Sequence, residues 1–223
     1  MRKVFISRDL DLKSPFRKEL EKMGMEVIAR SLFRYRAVDF GMPRLADWLF
    51  FNSPPSVHYF LKHIGAIPQN YQLAVLDSFT ATGLQEHGLE AQFCGRGNLE
   101  EVAVAFLEQA QGMQAIFVQS RKSKQSIYKL VREQMQAEEL VVYEYLPRED
   151  IQIPPCEIYV FTSPLNVKHY FERYLFPNGK QVVSTDAVTS KALKRYGITD
   201  LYQSEFSDEE GLAFAVRSLV KQV

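Results

Sequence analysis

Three pairs of segments in this chain repeat one another, and the order of the repeats restricts the fold more than any other feature. "LFFNSPPSV" (Leu49 to Val57) matches "YVFTSPLNV" (Tyr159 to Val167): each is an apolar run entering a Ser-Pro step, with Ser53 and Ser163 110 positions apart. "DSFTATGLQEHG" (Asp77 to Gly88) then matches "DAVTSKALKRYG" (Asp186 to Gly197), with Asp, Thr, Leu and Gly agreeing at an offset of 109. "NLEEVAVAFLEQ" from Asn98 resembles "SDEEGLAFAVRSL" from Ser207 at the same offset. Matches that persist in order at spacings of 110, 109 and 109 imply two homologous halves.

A second set of matches runs the other way along the chain. "KVFISR" (Lys3 to Arg8) and the amphipathic segment after it resemble "IFVQSR" (Ile116 to Arg121) and its successor, and here the early copy comes first. One half is therefore built from both chain ends, roughly 1–33 with 150–223, and the other is inserted as roughly 42–142. The segments 34–41 and 143–149 are expected to connect them. Ten short β runs are predicted at 3–8, 26–31, 47–52, 72–77, 90–94, 114–119, 139–145, 157–162, 181–185 and 200–204. Helical periodicity lies between most of them. Strands alternating with helices imply parallel sheets covered on both faces. The expected fold is α/β: two Rossmann-like or flavodoxin-like doubly wound lobes, joined by a two-segment hinge, with a cleft between them.

Composition narrows the function class. The chain has 223 residues, with 27 basic and 27 acidic side chains, so a broadly basic nucleic-acid surface is not expected. No apolar run reaches the roughly 20 residues needed to span a bilayer. The polar N-terminus does not resemble a signal peptide, and a cytoplasmic location is expected. Two cysteines, Cys94 and Cys156, form neither a disulfide framework nor a metal motif. The four histidines are too scattered for a metal site, and "CGRGN" lacks the elements of a phosphate-binding loop.

The Ser-Pro steps carry the chemistry that can be read from residues alone. Proline suits the first turn of a helix, and Ser or Thr before it makes a good N-cap. In a doubly wound sheet such helix N-termini point beyond the carboxyl ends of the strands, where ligands bind. Ser53, Ser56 and Thr80 in one half, and Ser163, Asn166 and Thr189 in the other, are thus either structural caps or contacts to an anionic ligand. Ser120 with Arg121, and Arg8, offer further contacts to carboxylates.

These motifs together resemble the uroporphyrinogen-III synthase family. "FFNSPPSV" and "VFTSPLNV" resemble its Phe-Thr-Ser-Pro strand-to-helix step, the Thr-x-x-x-Leu-x-x-x-Gly helices follow, and "VVYEY" (Val141 to Tyr145) resembles its Val-Tyr segment. The resemblance covers the whole chain. It implies a cofactor-free hydro-lyase that takes hydroxymethylbilane, a linear tetrapyrrole with eight carboxylates. Water is lost, ring D is inverted through a spiro intermediate, and uroporphyrinogen III is formed. It also implies that Tyr143 is the general acid, with Tyr145 the local alternative, and that the protein acts as a monomer without metal, nucleic-acid or membrane partners. The family usually has glycine where this chain has Asp77 and Asp186. Each aspartate either caps its own helix or repels an acidic ligand. A non-catalytic two-lobed protein binding an acidic metabolite is the alternative reading.

Overall fold

In a computed structural model, residues 1–68, 71–121, 123 and 126–221 are described. The chain runs β1 (Lys3–Ile6), α1 (Pro15–Lys22), β2 (Glu26–Ala29), β3 (Phe33–Ala37), β4 (Trp48–Phe51), α2 (Pro54–Ile64), β5 (Gln72–Val75) and α3 (Ser78–Gln85). It continues with β6 (Phe93–Cys94), α4 (Leu99–Gln109), β7 (Gln114–Ser120), α5 (Ile127–Val131) and β8 (Gln136–Pro147). The last third holds β9 (Ile158–Phe161), α6 (Pro164–Phe171), β10 (Gln181–Ser184), α7 (Ala187–Lys194), β11 (Tyr202–Gln203) and α8 (Glu209–Lys221). Contacts divide it into a first unit, Met1–Arg34 with Pro147–Val223, and a second unit, Tyr35–Leu146.

The first unit holds a five-stranded sheet ordered β11-β10-β9-β1-β2, with its pairs parallel. The second holds six strands ordered β3-β8-β7-β4-β5-β6, and the pairs from β8 to β6 are parallel. Taken through the repeat, β6, β5, β4, β7 and β8 correspond to β11, β10, β9, β1 and β2, so the two sheets share one strand order. Strand β3 is the addition.

Strands buried on both faces explain the near-continuous apolar runs WLFF and IYVF, whose residues are all buried. In the first unit, Phe16 and Leu20 of α1 and Leu212 and Val216 of α8 pack with Val4, Ile6 and Val160. Phe5, Tyr159 and Phe161 turn to the other face, against Val167 and Tyr170 of α6 and Leu193 of α7. The second unit repeats this. Val57 and Phe60 of α2 and Leu84 of α3 cover Leu49 and Phe51. Phe106 of α4 and Val131 of α5 cover Trp48, Phe50 and Phe117. The α/β reading with parallel sheets holds.

Strands extend into both segments expected as connections. Segment 34–41 was expected as a connection, but β3 occupies its start and hydrogen-bonds along β8. Strand β8 also runs to Pro147, into the segment expected as the second connection. The physical reason is mutual. FRYRA alternates apolar and polar residues, but the run is five residues long, carries two arginines and has four of its five residues exposed at a sheet edge, so no buried face marks it as a strand. Its backbone is satisfied by β8, and β8 is extended by having that partner.

A phenol cluster at the switch point of the second sheet

Doubly wound sheets bind ligands where the strand order reverses. In the second unit that point lies between β4 and β7, and it is bounded by Asn52-Ser53 at the end of one strand and Gln119-Ser120 at the end of the other. The Asn52 side-chain amide donates to Gln119 Oε1 at 2.7 Å, and Ser126 Oγ donates to the same oxygen at 2.7 Å. The Gln119 amide in turn donates to the Glu139 carboxylate. Asn52, Gln119 and Ser126 are buried, and a buried polar network with its members bonded holds both strand ends in place. The structure thereby sets the positions of Ser53 and Ser120.

Tyr143 stands opposite Ser120 in the β7–β8 ladder, beside a register shift between Gln119 and Ser120. Its hydroxyl lies 2.9 Å from Ser53 Oγ. Two residues on, Tyr145 projects to the same face of the strand, and its hydroxyl lies 2.8 Å from Ser120 Oγ. Tyr59 of α2 stacks on Tyr143, with ring centroids 5.5 Å apart. Tyr35 of β3 meets Tyr143 edge-on at 5.5 Å and Tyr145 at 6.1 Å. Four phenols and two serine hydroxyls thus share one site. Tyr143 is 3% exposed and Tyr35 43%. Burial pushes the Tyr143 phenol well above its ordinary pKa, and the hydrogen bond with Ser53 offsets part of that rise. Burial also raises Tyr35.

The opposite face of the same two strands is charged. Arg36 of β3 contacts one oxygen of Glu144 with Nε at 2.9 Å and Nη2 at 2.5 Å. Arg121 Nε lies 3.3 Å from the other. A carboxylate between two guanidiniums is the local partner of Arg121.

The first unit treats its switch point differently. Ser7 and Thr162, the counterparts of Ser120 and Asn52, bond each other: Ser7 Oγ lies 3.2 Å from Thr162 Oγ1 and accepts from the Thr162 N–H at 2.9 Å. Ser163 Oγ accepts from the Asn166 N–H and from its side-chain amide, both at 3.2 Å, so Ser163 is a helix cap. Asn166 is buried and accepts from the Leu32 N–H at 3.0 Å. Arg8 is half-buried; its Nη2 lies 4.0 Å from Glu209, and Nε and Nη2 have no hydrogen-bond partner among the described residues. Desolvation lowers its pKa against the pull of Glu209 and Asp208.

Both aspartates at the glycine positions turn back on their helices. Asp77 accepts from the Thr80 N–H at 2.8 Å and from Thr80 Oγ1 at 2.8 Å. Asp186 accepts from the Thr189 N–H at 2.7 Å. Thr80 and Thr189 are fully buried, and Thr189 Oγ1 has no partner among the described residues. Ser56 is also buried; it receives the Ser53 N–H at 3.2 Å and donates to the Ser53 carbonyl at 2.6 Å.

The structure therefore brings Ser53, Ser120 and Tyr143 together, with Arg121 adjacent on the other face. Reading the sequence did not single out Tyr59, Tyr35, Arg36 or Glu144. Ser53, Ser120, Tyr143 and Tyr145 were signalled by the Ser-Pro step, the strand ending in Ser-Arg and the Val-Tyr segment; the alternation of Tyr143 and Tyr145 along β8 puts both rings on one face. Among the described residues there is no group of three or more His, Cys, Asp or Glu able to hold a metal ion.

Comparisons with known proteins cover the whole chain. A family model described as uroporphyrinogen-III synthase HemD matches residues 14–213. A protein of Chlorobaculum parvum named uroporphyrinogen-III synthase is 27% identical, over 99% of this chain and 100% of its own length. Among solved structures, the uroporphyrinogen-III synthetase of Helicobacter pylori superposes with a TM-score of 0.75 at 19% identity, covering 98% of this chain and 100% of its own. A mutant uroporphyrinogen III synthase of Thermus thermophilus gives a TM-score of 0.66 at 17% identity, covering 99% and 100%. The structural likenesses extend the shared fold to both units, and the sequence match over nearly the full length settles the kinship: this chain belongs to the uroporphyrinogen-III synthase family.

Proposed function

We propose that this chain carries out the reaction for which its family is named, closing hydroxymethylbilane into uroporphyrinogen III with loss of water and inversion of ring D. The observation that carries this reading is the family match across residues 14–213. The phenol cluster supplies a chemistry that fits it.

Loss of the hydroxyl is pushed by the adjacent pyrrole nitrogen, so the protein's first task is to protonate the departing oxygen. Tyr143 is the proposed donor. A phenol is protonated at neutral pH, and burial raises the pKa of Tyr143 further. The departing hydroxide is the conjugate base of water, whose pKa is about 15.7, so even a weakened phenol remains the stronger acid. General acid catalysis of this kind contributes roughly 10²- to 10⁴-fold. The C–O electron pair leaves with the oxygen, Tyr143 Oη supplies its proton, and the closing pyrrole carbon later releases one proton. The second task is positioning, because closure with inversion must outrun direct closure.

Ser53 is the proposed anchor of the Tyr143 hydroxyl, on the strength of their 2.9 Å contact. Arg121 and Arg8 are proposed to meet substrate carboxylates, with Ser120, Ser163, Ser56, Asn166, Thr80 and Thr189 marking the strand-to-helix edges of the two units. Since the last four are buried and the aspartates hold the Thr80 and Thr189 N–H groups, the arginines carry most of that proposed contact. No step is routed through a cofactor. Among the described residues no helix is long and apolar enough to cross a membrane; the proposal places the enzyme in the cytoplasm, as a monomer.

The test is to supply freshly prepared hydroxymethylbilane, oxidise the products and separate the type I and type III isomers. Type III above the blank is expected. Type I alone would sink the proposal.

A further inference from the structure

Once the hydroxyl has left, the substrate carries a positive charge that its pyrrole nitrogen shares. The site must favour that cation without repelling the carboxylates of a linear tetrapyrrole. A protein carboxylate would meet the first demand and fail the second. Neutral aromatic rings meet both, because the face of a phenol ring is electrostatically negative while the ring bears no net charge.

The phenol cluster has this arrangement. Glu144, between the two tyrosines of β8, faces the other side of the strand and is held by Arg36 and Arg121. Phenols are protonated at neutral pH, and burial raises Tyr143 and Tyr35 further, so these two rings are uncharged. Of the four rings, Tyr143 is buried, Tyr59 and Tyr145 are partly buried, and Tyr35 is 43% exposed. Tyr35 meets Tyr143 at 74°, Tyr59 at 58° and Tyr145 at 54°, with centroids 5.5, 6.3 and 6.1 Å away. Three tilted neighbours thus set its orientation while much of the ring stays open. A departing oxygen within hydrogen-bond reach of Tyr143 Oη brings the carbon that bore it, and the attached pyrrole, beside that open ring.

We propose that Tyr35 is a further catalytic residue, whose ring face stabilises the cation formed as the hydroxyl departs, with Tyr59 and Tyr145 holding the ring in place. This rests on the synthase reading. No bond forms to Tyr35. The C–O electron pair leaves with the oxygen, and Tyr143 protonates it to water. The cation is consumed when the closing pyrrole carbon attacks and releases one proton, which balances the one Tyr143 gave. Nothing is oxidised or reduced. The attraction to Tyr35 grows as the charge develops, so it acts on kcat more than on KM.

The test compares Tyr35→Phe, Tyr35→Leu and three proteins carrying phenylalanine with one, two or three ring fluorines at position 35. Formation of the type III isomer is followed with freshly prepared hydroxymethylbilane. Tyr35→Phe is the reference, because it keeps the π-face and lacks the hydroxyl. Tyr35→Leu is expected to have a kcat about two- to thirtyfold below that reference, with KM unchanged. Each added fluorine draws charge from the ring face, so log kcat should fall stepwise along the series. Fluorinated rings keep nearly the shape of phenylalanine, so a ring that served only packing would give a flat series. A flat series would overturn the proposal, as would equal kcat values for Tyr35→Phe and Tyr35→Leu. A series that raised KM alone would also overturn it, since that would mark ground-state stacking. If Tyr35→Leu loosens the cluster, seen as a fall in Tm, the fluorine series decides. Failure of the synthase reading looks different: wild-type protein would then form no type III isomer at all.

Discussion

The two units begin from the same Ser-Pro step and use it for different ends. In the first, Ser163 closes the N-terminus of α6 with its own hydroxyl, and the neighbouring strand ends are pinned by a Ser7–Thr162 pair. In the second, Ser53 Oγ meets a phenol delivered by β8. The difference traces to one edge of the sheet. Strand β2 has four residues and is an edge strand, whereas its counterpart β8 has twelve and is flanked by β3. The added length carries Tyr143 level with the last residue of β7 and Tyr145 beyond it, and the added strand brings Tyr35 and Arg36. One repeat unit therefore stayed a capped sheet while the other became a candidate catalytic site by extending a single edge. The lesson is that matched motifs report a shared backbone geometry, and the chemistry lies in what the adjoining strand places against them.

The comparison is broken most severely at Tyr143. Tyr143→Phe is expected to lower kcat for the type III isomer by about 10²- to 10⁴-fold, with the circular dichroism spectrum unchanged. Full turnover would mean that the long edge of the second unit is structural only. Next in size are the paired serines. Ser53→Ala should lower kcat by about tenfold, equivalent to one positioning hydrogen bond. Ser163→Ala should instead cost about 1 kcal/mol of stability, the usual loss for an N-cap, seen as a fall in denaturation midpoint. Equal effects of the two on turnover would erase the distinction drawn between the units.

Smaller effects are expected at the aspartates. Asp77→Ala and Asp186→Ala should each cost about 1 kcal/mol, lowering Tm by roughly 2–4 °C for a chain of this size. Asp77→Ala should be the costlier, because it also strands Thr80 Oγ1, whereas Thr189 Oγ1 has no partner to lose. The reverse order would contradict the hydrogen-bond pattern.

The least effect at neutral pH comes from Cys156, whose thiol burial pushes up to about 11. A thiol whose folded value exceeds its unfolded value stabilises the fold below the unfolded value. That contribution is lost as pH rises through the interval, because the unfolded chain sheds its proton first. Wild-type protein should thus lose Tm between about pH 9 and pH 11 faster than Cys156→Ala does. Parallel curves would show that Cys156 does not contribute to the alkaline loss.

Much of the architecture could be read from residues. The runs WLFF and IYVF, buried on both faces, announce parallel strands under helices. The matched Asp-Ser and Asp-Ala steps, each with Thr three residues after the Asp, offered a helix cap as one of two readings, and the structure has the cap at both. Strand β3 was passed over although FRYRA alternates like a strand, because five residues with two arginines are too short and too polar to stand out, and the strand is held by pairing with β8. Of the site, Tyr143, Ser53 and Ser120 were within reach of motif and spacing. Tyr59 and Tyr35 were not: a tyrosine on an amphipathic helix or a polar edge looks like any surface aromatic.

What the sequence by itself determined is therefore the repeat, its permuted order, the alternation of strand and helix, and the kinship that names the reaction. These depend on local periodicity and on correspondence along the chain. Only the tertiary structure decided that Ser53 serves a phenol while Ser163 serves a helix, and that four tyrosines meet at one strand end. Each of those depends on which strand lies beside which and in what register. Such pairings join residues as far apart in the chain as Tyr35 and Tyr145, which no local pattern can encode.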